Sequence, residues 1–185
     1  MTHADDDDEL KMLTPEQKLE HWGRGPWLDE PDRIEWYAHG LPCLMTRALT
    51  GHLCGYVAVP PGHPLHGVDF DDQRLQRFIV HGGVNYAQAC SRLVCHVPRP
   101  GEPDDVWWFG FDCMHGGDYV PAAMRVVAPF MDDKRASGLA YRDVPFVRAH
   151  INLLAAQLAA RPAERFAALQ MGDWRVAPER EDEKP

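Results

Sequence analysis

Imidazole and carboxylate side chains that follow predicted strands are the residues of this sequence most suited to chemistry. They are His63, His66, His81, Asp112, His115 and Asp118. Nitrogen and oxygen ligands at short spacings are sufficient to bind Zn²⁺, Mn²⁺ or a similar divalent metal. We therefore predict a metal site, formed where three turns meet at one edge of a sheet.

The predicted roles divide between metal binding and catalysis. The predicted ligands are His63, His66, His81, Asp112 and His115. A metal with an open coordination position acidifies water for hydrolysis, and a neighbouring carboxylate can then serve as general base. Asp118 is the candidate base. His115 is predicted to be both a catalytic residue and a metal ligand. The predicted function is metal-assisted hydrolysis of a small molecule.

The spacing of these residues leaves other interpretations open. His-x-x-His and Asp-x-x-His arise by chance, and neither is part of a helical His-Glu-x-x-His motif here. Exposed loop histidines without a ligand role are the simpler interpretation of His63 and His66. The alternative function is non-catalytic, with the same polar cleft serving as a recognition pocket.

Nucleophilic catalysis has two candidate segments. Cys113 is adjacent to Asp112 and two residues from His115, and residues two apart in an extended strand share a face. A buried, inert thiol is the alternative, because a reactive cysteine needs a depressed pKa. Residues 80–83 (Val-His-Gly-Gly) are similar to the oxyanion segment of lipases and esterases. No Gly-x-Ser-x-Gly motif accompanies them, so a serine hydrolase is disfavoured.

The candidate site depends on a predicted sheet. Six runs of alternating or continuous apolar residues between turns are typical of strands: residues 33–39, 43–49, 53–59, 78–81, 92–97 and 107–111. The first three form a meander, and the last, rich in Trp and Phe, is expected to be buried on both faces. The fold class is predicted as α+β, an antiparallel sheet of about five to six strands covered by C-terminal helices.

Helices are predicted before the first strand and after the last strand in the sequence. Thr14 and Gln17 have the form of a capping box, which predicts a short helix to about residue 22. Asp143 is expected to cap a helix whose apolar residues form one stripe, and a further helix is predicted over residues 162–171. His150 lies at the border of that stripe, a position more typical of a packed histidine than of a ligand.

The negative charge of the chain is concentrated at its ends. The net charge is −9, and residues 5–9 alone carry five negative charges. We predict one domain over residues 13–174, a disordered acidic tail over 1–12 and a disordered charged tail over 175–185. The sequence contains no basic run, which disfavours nucleic-acid binding.

Cysteine usage and hydropathy predict a compartment. No segment approaches about 20 continuous apolar residues, and the N-terminus has no apolar signal-peptide core, so we expect a soluble, cytoplasmic protein. The five cysteines lack Cys-x-x-Cys spacing. Reduced thiols are therefore expected rather than a disulfide framework or a zinc knuckle.

Several segments resemble a family of small proteins encoded by phages and prophages. They are Gly55-Tyr56-Val57 through Pro61-Gly62-His63-Pro64, Val80-His81-Gly82-Gly83, and Trp107-Trp108-Phe109-Gly110-Phe111-Asp112-Cys113 with His115 and Asp118, and the start of the Tyr141-Arg142-Asp143 helix is a further match. The resemblance implies a phage or prophage setting, the host cytoplasm as location and a host protein as an alternative partner to a small molecule. It implies no mechanism and no catalytic residue.

Overall fold

The structure is a computed structural model and describes residues 13–91, 93–132 and 137–160. It confirms the α+β prediction, with a five-stranded antiparallel sheet and a long helix towards the C-terminus. The predicted helix over residues 162–171 and the predicted tails over 1–12 and 175–185 lie outside the described residues.

One sheet organises the fold. Its strands are β1 (Arg33–Ala38), β2 (Leu41–Arg47), β3 (Leu53–Val59), β4 (Tyr86–Ala89) and β5 (Trp107–Asp112). Their order is β1-β2-β3-β5-β4, and all neighbouring strands are antiparallel. The first three strands form the predicted meander. β5 lies between β3 and β4, so its C-terminal end is next to the start of β3, where Asp112 is paired with Cys54.

β5 is buried on both faces, as its apolar sequence predicts. Phe109 and Phe111 belong to the larger core cluster, whereas Trp108 packs on the opposite face with Leu44 and Ala58. All three aromatic side chains are almost completely buried. Close packing on two sides restricts the motion of the strand and thereby fixes the turn that follows it.

The predicted strand over residues 78–81 is wrong. This segment is irregular and follows a 3₁₀ helix, Leu75–Arg77. Both backbone polar groups of Ile79 hydrogen bond the side-chain amide of Gln157, at 2.9 Å each. The Gln157 side chain thus satisfies the backbone N–H and C=O of Ile79, which in a sheet would bind a neighbouring strand. The apolar pattern of so short a run cannot distinguish a strand from such an irregular segment.

The predicted strand over residues 92–97 is also wrong, and β4 is the edge strand that the sequence did not indicate. Ser91 and Val94 pair across a tight turn instead. The guanidinium of Arg33 holds this turn by donating to the carbonyl oxygens of Leu93 and Cys95, at 2.6 Å each. β4 has the sequence Tyr-Ala-Gln-Ala, which contains no β-branched residue and so gives a weak strand signal.

Three α-helices that lie wholly within the described residues flank the sheet. They are α1 (Pro15–Trp22), α2 (Pro121–Val127) and α3 (Val144–Ala159). The predicted capping box at the start of α1 is confirmed by reciprocal hydrogen bonds between Thr14 and Gln17. α2 was not predicted from the sequence. Within the described ranges, no helix combines the length and the apolar character that a membrane crossing requires.

α3 covers the face of the sheet that carries the larger core. Asp143 caps it as predicted, with its Oδ1 accepting from the Phe146 N–H at 3.0 Å. Of the five residues in the predicted stripe, Val144 is partly buried, and the other four are buried on the sheet: Val147, Ile151, Leu154 and Leu158. Gly55 of β3 permits this close approach, because a Cβ there would lie 2.6 Å from Ile151 and 2.7 Å from Phe111.

A buried ion cluster connects the end of β2 to the start of α3. Arg47 has only 1% of its side chain exposed and pairs with Glu30 at 2.9 Å and with Asp32 at 2.7 Å. It also donates to the Tyr141 hydroxyl at 2.7 Å, and that hydroxyl donates to Glu30 at 2.5 Å. Tyr141 lies two residues before the capping Asp143, and Glu30 also accepts from the Val144 N–H at 3.3 Å, so the cluster contacts the start of α3.

The expectation that all the cysteines are reduced is wrong for two of them. Cys90 and Cys95 form a disulfide across the Ser91–Val94 turn. The turn places the two cysteines opposite each other although they are five residues apart. Cys43, Cys54 and Cys113 are free and buried. Spacing alone did not indicate the pairing, because it depends on this local bend of the backbone.

Candidate metal centre

Two turns bring together three potential metal ligands, His81, His115 and Asp118. His81 lies in the loop before β4, whereas the other two lie in the turn that follows β5. One ligand atom from each residue can be chosen so that all three lie within 4.8 Å of one another. Among the described residues, this is the group of histidine, cysteine and acidic side chains whose geometry fits a metal ion.

Asp118 is the buried centre of the cluster. Only 1% of its side chain is exposed. Its Oδ2 lies 2.8 Å from Nε2 of His81 and accepts from the backbone N–H of His115 at 2.9 Å, while Oδ1 accepts from Nε of Arg142 at 2.7 Å. Burial alone would raise the pKa of Asp118, but these hydrogen bonds outweigh it and the pKa lies below its usual value. The carboxylate is therefore held ionised.

His115 has a buried ring nitrogen without a hydrogen-bond partner. Its Nδ1 faces two carboxylates, at 3.6 Å from Oδ2 of Asp118 and 3.7 Å from Oδ1 of Asp112. Both distances exceed the range of an N–H···O hydrogen bond. Buried polar groups are nearly always satisfied, so an unpaired nitrogen beside two acidic groups is a candidate ligand for a cation.

His81 is oriented by α3. Its backbone N–H donates to Nδ1 of His150 at 3.1 Å, and its ring packs edge-on against Phe146 with the ring centroids 5.2 Å apart. Burial, assisted by the charges of His81 and Arg142, lowers the pKa of His150. A neutral His150 ring can accept this hydrogen bond, which agrees with the predicted role of a packed histidine.

Gly82 allows the His115 ring to reach the cluster. A Cβ atom at Gly82 would overlap the imidazole of His115, and the residue has a φ of +67°. The neighbouring Gly83 also has a positive φ, +86°, but a Cβ there would meet open space. Replacing either glycine with alanine would therefore strain the backbone in the same way. Only at Gly82 would the added side chain also collide with His115.

We expect Gly82→Ala to weaken divalent metal binding roughly tenfold or more, because the new methyl group displaces the His115 ring. Gly83→Ala is the matched control, since it adds the same backbone strain without this collision. Isothermal titration with zinc measures both affinities. Equal affinities for the two variants would show that the position of the His115 ring does not matter for binding.

The structure does not bring His63 or His66 into the cluster. Nδ1 of His63 accepts from the Leu65 N–H at 3.2 Å, and Nε2 lies 3.1 Å from the Leu158 carbonyl oxygen at the end of α3. Nε2 of His66 lies 2.7 Å from the carbonyl oxygen of Asp105. These rings connect the 60–67 loop to neighbouring segments, so the expected convergence of three turns is reduced to two.

Asp112 lies at the edge of the cluster and accepts hydrogen bonds from residues outside it. Its Oδ1 accepts from the Met114 N–H at 2.9 Å, and its Oδ2 accepts from Nδ2 of Asn85 at 2.7 Å. The first of these bonds closes the turn that carries His115. Asp112 therefore positions His115 and faces it, but it is not one of the three grouped ligands.

The sequence did not indicate the surrounding residues Arg142 and His52. Arg142 was singled out only as part of a helix start, because its bond to Asp118 joins residues 24 apart in the sequence. His52 is buried, with Nδ1 2.7 Å from Oγ1 of Thr50. Burial lowers the pKa of His52 against the opposing influence of the Asp112 and Asp118 charges.

Cys113 does not have the properties of a nucleophile. Burial raises its pKa, and the nearby carboxylates of Asp118 and Asp112 raise it further. The thiol is therefore protonated at neutral pH, whereas attack requires the thiolate. The alternative interpretation of a buried, inert cysteine fits these surroundings.

Comparison of the chain with protein-family models, with curated proteins and with solved structures found no match. The chemistry of the site is therefore inferred from its geometry.

Proposed function

We propose that this protein binds one divalent metal ion, Zn²⁺ or Mn²⁺, through His81, His115 and Asp118, and uses it to hydrolyse a small substrate. The unpaired, buried Nδ1 of His115 is the observation that carries this proposal. Two imidazoles and one carboxylate form a ligand set common in catalytic zinc sites. The negative charge of Asp118 and the adjacent Asp112 favours a cation at this position.

Three protein ligands leave a coordination position for water, which is the condition for hydrolytic chemistry. A bound divalent ion lowers the pKa of water towards neutrality and so supplies a nucleophile. Asp118 fits the role of a ligand better than that of the general base predicted from the sequence, because its lowered pKa makes it a weak proton acceptor while keeping it ionised for a cation. The contribution of His115 to catalysis is then that of a ligand.

Three glycines leave the backbone of the two turns uncovered beside the cluster. Gly83, Gly116 and Gly117 lie in the two turns that form the cluster, and a Cβ at any of them would meet no neighbouring atom. A substrate can therefore approach the backbone of both turns without meeting a side chain at these positions.

Metal analysis of the purified protein tests the proposal. We expect one zinc or manganese ion per chain after reconstitution, and loss of that ion in the His81→Ala/His115→Ala double variant. The matched control is His63→Ala/His66→Ala, which removes two imidazoles outside the cluster and should retain the metal. Circular dichroism verifies that all variants are folded.

A folded wild-type protein that takes up no metal would contradict the proposal. The non-catalytic alternative, capture of a small molecule or of a host protein in a phage setting, would then be favoured. Loss of metal from the His63→Ala/His66→Ala variant would instead show that the ligand set is a different one.

The proposal retains the cytoplasmic location predicted from the sequence. The Cys90–Cys95 disulfide is the observation that opposes this location, because disulfides persist mainly in oxidising compartments. Thiol alkylation in intact cells, followed by denaturation without reductant, tests the location. Modification of all five cysteines would support a reducing compartment, whereas modification of only the three free cysteines would contradict the proposed location.

A further inference from the structure

Arg142 is held beside the proposed metal by two contacts, and its side chain is partly exposed. Its Nε donates to Oδ1 of Asp118 at 2.7 Å, and its guanidinium carbon lies 4.8 Å from the centre of the Phe146 ring. The side chain is 28% exposed. The hydrogen bond and the aromatic contact together determine the plane of the guanidinium, which reduces the entropy that it loses on binding a ligand.

The two terminal nitrogens of Arg142 have no hydrogen-bond partner among the residues that the structure describes. A guanidinium carries five N–H donors, of which the Nε donor is used by Asp118. The other four lie on the two terminal nitrogens and form a fork suited to two oxygens of an anion. Arg142 therefore presents a preformed but unused anion-binding group.

The charge around the proposed metal also favours an anion. Two neutral imidazoles and the Asp118 carboxylate leave a divalent ion with one net positive charge, and Arg142 adds a second. Asp112, about a third of whose side chain is exposed, offsets only one of these. An anionic ligand completes the balance at a site of this kind.

The beginning of α3 does not provide this recognition. The Val144 N–H donates to Oε1 of Glu30 at 3.3 Å, the Phe146 N–H donates to Asp143, and Pro145 has no N–H. The first helical amides are therefore occupied or absent. Arg142 is the group at this helix end that can bind an anion.

We propose that the ligand of this site is a phosphate-type oxyanion, held between the metal and Arg142; this inference rests on the metal binding proposed above. A metal held by Oδ2 of Asp118 would lie beside Arg142, which donates to Oδ1 of the same carboxylate. A tetrahedral phosphate can place two oxygens on the guanidinium fork and a third on the metal. A carboxylate has only two oxygens and cannot satisfy both partners in this way.

Two successive titrations test this inference. The first measures zinc binding to wild-type protein and to the Arg142→Gln, Arg142→Lys and Arg148→Gln variants. The second adds inorganic phosphate, or acetate, to each protein carrying one equivalent of zinc. Arg148→Gln is the matched control, because it removes one positive charge from α3, six residues further along the chain, at a residue that packs on Trp36.

We expect wild-type protein to bind phosphate more tightly than acetate. Arg142→Gln should weaken phosphate binding roughly tenfold or more, because charge-assisted hydrogen bonds are lost. Arg142→Lys should restore part of this affinity, since it keeps the charge but not the fork. Arg148→Gln should bind phosphate as wild type does.

The outcomes separate this inference from the proposed function. Zinc binding without phosphate binding, or equal phosphate affinities for wild type and Arg142→Gln, would overturn the inference and leave the metal site intact. Acetate binding as tight as phosphate binding would overturn the proposed ligand class. Failure of the first titration would overturn the metal site and, with it, this inference.

Discussion

Replacing Arg47 with methionine is expected to lower the free energy of unfolding by about 3–5 kcal/mol. The guanidinium is almost completely buried and pairs with Glu30 and Asp32, so its removal leaves two acidic groups without their main partner. Lys18 still pairs with Asp32 at 2.6 Å, and the Tyr141 hydroxyl still donates to Glu30. These contacts limit the loss but do not replace the buried cation. Urea denaturation measures the change.

Arg74→Met is the control for Arg47→Met. Arg74 also pairs with an acidic side chain, Asp72, at 2.6 Å, but 44% of its side chain is exposed. Pairs of this kind contribute at most about 1 kcal/mol. Equal losses for the two variants would contradict the view that the buried cluster stabilises the fold, whereas failure of Arg47→Met alone to fold would be the extreme form of the expected result.

Asp118→Asn is expected to impair both stability and metal binding. Asp118 accepts hydrogen bonds from the side chain of Arg142 and the backbone of His115, and a neutral amide cannot replace both oxygens. We expect the free energy of unfolding of the metal-free protein to fall by about 3 kcal/mol, since a buried ion pair is broken. Loss of a metal ligand should weaken zinc binding more than loss of a residue that only supports a ligand, so zinc affinity should fall by more than roughly 100-fold.

The same substitution at Asp112 provides the comparison. Asp112 is about a third exposed and accepts from Met114 and Asn85, which an asparagine can partly retain. We expect a loss of about 1 kcal/mol in stability and less than about tenfold in zinc affinity. If Asp112→Asn weakened zinc binding as much as Asp118→Asn, Asp112 would have to be a ligand.

The parts of the fold that the sequence predicted are those with strong local signals. The capping residues Thr14 and Asp143, the meander and the doubly buried β5 each carry a pattern that does not depend on distant contacts. β4 lacked such a pattern. The segment around Ile79 resembled a strand, but its backbone is satisfied by Gln157, which is 78 residues away in the chain. Contacts of that kind are not visible as periodicity.

The candidate site was predicted in part for the same reason. His115 and Asp118 follow a rigid strand directly, so their position could be anticipated from β5. Whether His81 or His63 would join them depended on loop paths that the sequence does not determine. Only a folded chain shows that His63 bonds to the end of α3 and that Arg142 bonds to Asp118.

Anomalous diffraction from a zinc-soaked crystal is the most direct test of the central claim. The account predicts a single strong peak within about 2.2 Å of Nε2 of His81, Nδ1 of His115 and Oδ2 of Asp118. Such a peak also requires His81 and Asp118 to give up their direct 2.8 Å contact. An ordered site without a peak, in which that contact persists, would contradict the account, as would a peak at His63 or His66.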